Sequence, residues 1–287
     1  MLYFRDADIA FMHVPKNAGK SVRRALEAFG APCTDALAAD LDINKEDAAS
    51  VLDGQGAQLP GLGMVKPEHL PLAIVAEHLP RTFAQISAAR NFMLVRPPRD
   101  RFFSALLQHL REFSDVTALR ADNPVVASEA RKVCDWLDGR GPFSDIAHIH
   151  FSRQIDYAEI DGKRIVSALF PMDRTDAVSA WIKAQTGQSL SITHDHARRE
   201  PKAWAGALQP GFRFIGRTLL PPALKKAIYP LWMNSGMFAN AAKRYETVQL
   251  APDVEQFLAD YYAPDAALYA EACRFAQTLA VQASEAA

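Results

Sequence analysis

The chain has 287 residues, 49% of them hydrophobic, which is enough to build a sizeable core and argues against disorder. With 32 basic and 33 acidic residues the formal net charge is -1, so neither a general nucleic-acid binder nor a membrane-surface binder is implied, and any anion site must be local. Cys33, Cys134 and Cys273 stand far apart with no C-x-x-C, which excludes a disulfide framework or a cysteine zinc site by spacing. The opening residues "MLYFRDADIAFMHV" place Arg5, Asp6 and Asp8 where a signal peptide needs an apolar run. No stretch approaches the length of a membrane span, and the expectation is a cytoplasmic protein with no integral membrane segment and no nucleic-acid partner.

In chain order, Ile9 to Val14 is a short apolar run that predicts a buried strand. Pro15 to Lys20 is a loop, and Ser21 to Phe29 a helix with Val22, Ala25, Leu26 and Phe29 on one face. Residues 31 to 66, with scattered Gly, Pro and Asp, read as irregular with one short helix, and Pro71 to Leu79 as a helix. "NFMLV" at 91 to 95 predicts a second buried strand, broken by "RPP" before a helix over Asp100 to Phe113. Further helices are expected over Val125 to Leu137 and Asp173 to Thr186, the latter closed by Gly187, with a strand over 163 to 171 between them. From Pro221 onward the pattern is helical. Strands alternating with helices predict an α/β protein with a parallel core sheet and a helix-rich C-terminal part.

Two loops carry chemistry. "HVPKNAGKSV" ends like a nucleotide-triphosphate loop, yet counting back five places from Gly19 gives Val14 where that motif needs glycine. The stretch still suits an anion, because a helix N-terminus offers unpaired N–H groups and a partial positive charge. Lys16, Asn17, Ala18, Gly19, Lys20 and Ser21 are its candidate phosphate-binding residues; the bland reading is a strand-to-helix turn with two solvated lysines. The second loop is "LVRPPRDRFFSAL", residues 94 to 106. Arg96 stands at the end of a strand and Ser104 in the second turn of the next helix, so a forked guanidinium and a hydroxyl could grip one phosphate. Arg101 and Ser104, at i and i+3, share a helix face.

Together, "FMHVPKNAGKS" and "FMLVRPPRDRFFSAL" resemble the two nucleotide-binding signatures of the carbohydrate sulfotransferases, which use 3′-phosphoadenosine-5′-phosphosulfate (PAPS). Pro15, Lys16, Ala18, Gly19 and Ser21 match the 5′-phosphosulfate loop; Val95, Arg96, Pro98, Asp100, Arg101 and Ser104 match the 3′-phosphate loop. Asn17 and Lys20 stand where threonines are usual, Pro97 where Asp or Asn is usual, and Arg99 where an aromatic is common. Looser echoes lie at 68 to 73, 152 to 162 and 258 to 269. The resemblance implies a P-loop-like three-layer fold with a central parallel sheet flanked by helices, a single domain over residues 1 to 287, and sulfuryl transfer to a hydroxyl of a carbohydrate or glycolipid acceptor without a metal.

By the same resemblance Lys16 is the cation at the bridging oxygen, with Lys20 its rival. His69 is the candidate general base, with Glu68, Glu77 and His78 as rivals, and Gln154 and Tyr157 could touch nucleotide or acceptor. Residues 111 to 150 and 188 to 250, the least similar to the family, would shape the acceptor side. "HIH" at 148 to 150 and "HDH" at 194 to 196 could each share one face of a strand, but no further ligands stand at diagnostic spacing, so no metal is expected. Two alternatives stay open: an ATP- or GTP-using kinase, for which an acidic metal ligand at a strand end is missing, and a non-catalytic nucleotide- or glycan-binding descendant of the same fold.

Overall fold

The computed structural model describes residues 1–113, 124–140, 142, 146–192, 199–201, 238–240 and 248–285. In chain order the strands are β1 (Leu2–Phe4), β2 (Ile9–Met12), β3 (Ala57–Leu59), β4 (Gly63–Val65), β5 (Arg90–Val95), β6 (Glu159–Ile160), β7 (Lys163–Arg164), β8 (Ala168–Pro171), β9 (Arg199–Pro201) and β10 (Phe238–Asn240). The α-helices are α1 (Gly19–Leu26), α2 (Asp35–Leu41), α3 (Lys45–Ser50), α4 (Leu72–His78), α5 (Pro80–Ala88), α6 (Pro98–Phe113), α7 (Pro124–Arg140), α8 (Thr175–Thr186), α9 (Pro252–Tyr261) and α10 (Ala263–Glu285).

The chain divides into two compact units, where the sequence reads as one domain. One unit comprises residues 1–193 and 248–287, the other residues 194–247. Within the second unit β9 and β10 pair antiparallel, with Ala239 opposite Glu200. Phe238–Asn240 thus corrects the expectation of a wholly helical pattern from Pro221 onward; the rest of 221–247 lies outside the described residues.

The first unit is α/β, built on a four-stranded sheet in the order β1-β2-β5-β8. β2, β5 and β8 run parallel; β1 is antiparallel to β2, so the sheet is mixed where a parallel one was expected. Leu2–Phe4 becomes a strand by folding back through the turn at Arg5–Asp8, where the Asp8 amide donates to the Arg5 carbonyl at 3.0 Å. Every residue of β2 and β8 is buried, as is all of β5 after Arg90. Since successive side chains point to opposite faces, this burial means that both faces of the sheet are covered.

An aromatic spine crosses the strands. Phe11 and Phe92 lie 5.0 Å apart between ring centroids, Phe92 and Phe170 6.1 Å, and Trp181 of α8 meets Phe92 at 5.5 Å. Phe275 of α10 adds an edge-on contact to Phe170 at 5.3 Å, the kind of geometry aromatic rings prefer.

Several elements depart from the sequence pattern for local reasons. The segment 31–66 holds the two short helices α2 and α3 and the β3–β4 hairpin rather than one helix in irregular chain. The helix ending at Leu79 is followed at once by α5, whose first turn is capped from a distance: the Arg81 and Thr82 amides donate to the Asp40 carboxylate at 3.0 and 2.8 Å. The strand expected over 163–171 splits. Lys163–Arg164 pairs with Glu159–Ile160 around Asp161 (φ 49°) and Gly162 (φ 75°), a hairpin turn that needs positive φ at both positions, and only Ala168–Pro171 joins the main sheet. Gly187, at φ 76°, closes α8 as expected. Among the described residues no helix is long and apolar enough to cross a membrane.

Asn91 locks β5 to the chain entering β8. Its amide nitrogen donates to the Ile86 carbonyl at 2.9 Å and its amide oxygen accepts from the Ser167 amide at 2.7 Å, while its side chain is buried. Asn91→Ala leaves two backbone groups without partners and should lower the unfolding free energy by about 1–3 kcal/mol. Urea denaturation with an unchanged slope would register that loss.

Candidate functional site

Parallel pairing of β2 and β5 brings the loops that follow them to the same end of the sheet. The first loop turns at once: the Val14 amide donates to the Met12 carbonyl at 3.0 Å and the Asn17 amide to the Val14 carbonyl at 3.4 Å. Lys16 (φ 73°) and Ala18 (φ 58°) are left-handed, a conformation that costs a non-glycine residue roughly 1–2 kcal/mol. Contacts from the rest of the fold must hold it. α1 then starts at Gly19 with no side-chain cap and no acidic residue in its first turn, which leaves the positive end of the helix for an outside acceptor.

The holding contacts come mainly from the second loop and the helix behind it. Arg96 donates from Nη1 to the Lys16 carbonyl at 3.2 Å. Arg101, 1% exposed, donates from Nε to the Pro15 carbonyl at 3.1 Å and from Nη1 to the Ser152 carbonyl at 2.6 Å. The Asn17 side chain, 1% exposed, donates from Nδ2 to the Leu94 carbonyl at 2.7 Å and to Gln154 Oε1 at 2.6 Å. Lys16 Nζ donates to Gln108 Oε1 on α6. Asn17, a candidate phosphate-binding residue, and Arg101, which matches the second signature, therefore have their side chains turned inward on the scaffold.

Arg96 and Lys16 are brought together. Ser104 is half-buried on α6 and shares a helix face with Gln108 one turn on, so it lies on the stripe that meets Lys16. Lys20 is exposed and Ser21 half-exposed in the first turn of α1. Arg99 is engaged elsewhere: it pairs with Glu255 at 2.8 Å, donates to the Val248 carbonyl and lies 4.9 Å from the Phe103 ring centre.

A chain of imidazoles flanks the first loop. His13, just past β2, has its ring over Gly19: a Cβ there would stand 2.1 Å from His13 Cδ2 and 2.2 Å from Nε2. Glycine at 19 is thus demanded by the histidine ring. His69 meets His13 edge-on at 5.0 Å, and His150 meets His69 at 6.1 Å. The Tyr157 hydroxyl, buried, donates to the His69 carbonyl at 2.8 Å and so fixes that turn.

All three rings are held neutral. Burial lowers His13 to about 3, with the charges of Arg23 and Lys20 adding to it. Burial lowers His69 to about 2, helped by His13, His150 and Lys66. Burial lowers His150 to about 4, with Lys16 acting in the same direction and Glu112 against it. A chain of net charge -1 has therefore gathered Lys16, Lys20, Lys66, Arg96 and Arg101 around one small region, the local positive field that an anion site needs.

The rival bases lie differently. Glu68 is buried, and Glu77 and His78 pair with each other on α4 at 4.0 Å. The two histidines of "HIH" do not share a face, because residues 146–151 form a 3₁₀ helix rather than a strand. His148 stacks on Trp136 at 4.3 Å, while His150 joins His69. Among the described residues no group of three or more His, Cys, Asp and Glu is arranged to hold a metal. His194 and His196 lie outside the described residues, as does much of 111–150 and 188–250.

The sequence reading missed His13, Gln108 and the part played by His150. Two of these had a signal: His13 precedes the loop directly, and Gln108 follows Ser104 by four residues, one helical turn.

Gly19→Ala should destabilise the protein by about 1–3 kcal/mol through overpacking against His13. His13→Ala should relieve much of that loss, so a double-mutant cycle read by urea denaturation should give a clearly non-additive pair. The pH dependence has one sign. An unfolded histidine titrates near 6.5 and these folded ones far below it, so the unfolded chain binds more protons as pH falls under 6.5. Their contribution is complete above pH 6.5 and is lost as pH falls from there through the folded values, to about 4 for His150, about 3 for His13 and about 2 for His69, by up to ~1.4 kcal/mol per pH unit for each ring. Urea midpoints measured across that window should fall, and His69→Gln should flatten the slope.

Comparison with family models, curated proteins and solved structures finds no match to this chain, so the reading of the site rests on these contacts and on the two sequence stretches that make them.

Proposed function

We propose that the protein transfers the sulfuryl group of PAPS to a hydroxyl of a carbohydrate or glycolipid acceptor, releasing 3′-phosphoadenosine-5′-phosphate (PAP). The observation that carries this reading is the 3.2 Å hydrogen bond from Arg96 to the Lys16 carbonyl, which makes one site of two loops that separately resemble a 5′-phosphosulfate and a 3′-phosphate binder. A kinase reading is less well supported, since the chain leaving β5 begins with Arg96 rather than a carboxylate that could hold a metal.

In this reading the uncapped start of α1, with the backbone of Ala18, Gly19 and Lys20 and the Ser21 hydroxyl, takes the 5′-phosphosulfate. Asn17 contributes by holding the loop in place, its side chain being bound to Leu94 and Gln154 and its amide donating to the Val14 carbonyl. Arg96 and Ser104 take the 3′-phosphate. The acceptor oxygen forms a bond to sulfur as the bond from sulfur to the phosphate oxygen breaks, and that oxygen leaves with the electron pair. Lys16 stabilises the charge growing there, and positioning with electrostatic stabilisation does most of the work. His69 receives the hydroxyl proton. Its imidazole is neutral, and because burial holds it far below its usual basicity, the proposed role requires the bound anions beside it to raise that basicity toward neutral pH.

Thermal unfolding with added nucleotide tests the reading. PAP at a hundred times its dissociation constant should stabilise the protein by about 2.7 kcal/mol. ATP should do markedly less at equal concentration, and the reverse preference would overturn the proposal. Arg96→Ala should weaken PAP by roughly 10- to 100-fold, the worth of one charge-assisted contact, while weakening adenosine 5′-phosphate far less. Equal losses for both nucleotides would remove Arg96 from the 3′-phosphate.

A further inference from the structure

We infer that Gln154 is a positioning residue that sets the spacing between the two loops, and thereby makes the site select a nucleotide carrying phosphates on both its 3′ and 5′ positions. The inference rests on the nucleotide reading above and adds to it the element that would read the distance between the phosphates.

Gln154 is fully buried, on the short segment entering the Ile155–Tyr157 turn. Its side-chain amide is engaged by the two loops. Oε1 accepts from Asn17 Nδ2 at 2.6 Å and from the Arg96 amide at 2.9 Å, while Nε2 donates to the Arg96 carbonyl at 2.8 Å. One side chain thus reads both backbone groups of Arg96, as a neighbouring strand would, and through the same oxygen holds the residue that precedes the αL turn into α1. The positions of residues 17 and 96 are set relative to one atom. Gln154 cannot drift, because its own amide and that of Ile155 donate to the two carboxylate oxygens of Asp265, at 2.8 and 2.9 Å, and Asp265 is itself fully buried in the first turn of α10.

A bisphosphate ligand binds both loops at once, and its second contact is effectively intramolecular only if the two subsites stand at the ligand's own spacing. A monophosphate needs one loop and is indifferent to the other. Loosening the pin should therefore weaken the bisphosphate selectively, by a factor in the range of about 10 to 100 seen when residues that orient a site are lost.

The test is calorimetric titration of the whole chain and of Gln154→Ala with PAP, adenosine 5′-phosphate and adenosine 3′-phosphate. The wild type should prefer PAP to either monophosphate. In Gln154→Ala, PAP affinity should fall at least tenfold and each monophosphate less than about threefold. If the variant does not fold, Gln154→Met serves instead: it keeps the length of the side chain and adds no charge but loses all three hydrogen bonds to the loops, and the same selective loss is expected. A PAP preference that survives the substitution overturns the inference, as does an equal loss for all three nucleotides, which is what a merely structural role would give. A wild type with no preference for PAP overturns the nucleotide reading itself, and the inference with it.

Discussion

The site depends on a knot of buried polar groups. Asn17, Arg101, Gln154 and Asp265 are each 1% exposed or less, and their hydrogen bonds run between the loop after β2, the loop after β5, the 152–155 segment and the start of α10. Removing such groups from water costs several kcal/mol for the charged ones, and only good geometry and mutual contact offset it. Arg101 meets part of the requirement with carbonyl acceptors, those of Pro15 and Ser152, and with the negative charge of Asp265 nearby, while its Nη2 and the Asn17 Oδ1 are buried without a hydrogen-bond partner. A knot of this kind contributes little net stability. It does exclude other arrangements, because any shift of one loop leaves a buried donor or acceptor bare.

That constraint explains how the first loop can hold Lys16 and Ala18 in left-handed backbone conformations. The chain is pulled by its carbonyls, at Pro15 by Arg101 and at Lys16 by Arg96, while its one amide side chain is fastened beneath. Its outward groups are thereby presented in a fixed pattern at the uncapped end of α1. The same pull places Lys16 beside Gln108, on the helix stripe that carries Ser104. Near these cations the imidazoles of His13, His69 and His150 stay neutral, so the region joins positive charge with proton acceptors. In the proposed group transfer from an anionic donor to a hydroxyl, the anion needs the charge and the hydroxyl needs the base.

Some of this was legible beforehand. Buried strands were readable from contiguous apolar runs at Ile9–Met12 and Phe92–Val95, because a strand covered on both faces has no polar side to blur the pattern. The two loops were readable because glycine, proline and basic residues punctuate them. Other features depend on partners distant in sequence. α5 is capped by Asp40, some forty residues earlier, and no local signal announces that. The antiparallel β1 is three residues long and exists because β2 offers it an edge. The Asp161–Gly162 turn did have a signal, and the strand-like run around it masked it.

The sequence by itself determined the α/β class, the two basic loops and the chemistry they can offer, since apolar runs, turn residues and charged side chains are local facts. Tertiary structure alone decided which of those side chains are turned inward. The side chains of Asn17, a candidate binding residue, and of Arg101 are turned into the scaffold, because carbonyls and an amide oxygen from other parts of the chain take their hydrogen bonds. At Gly19 a side chain is excluded by His13, because the chain leaving β2 lays that imidazole over the helix start. Gln154 was a weak echo in the sequence and is the atom-level link between the loops, because parallel strands brought together two segments nearly eighty residues apart.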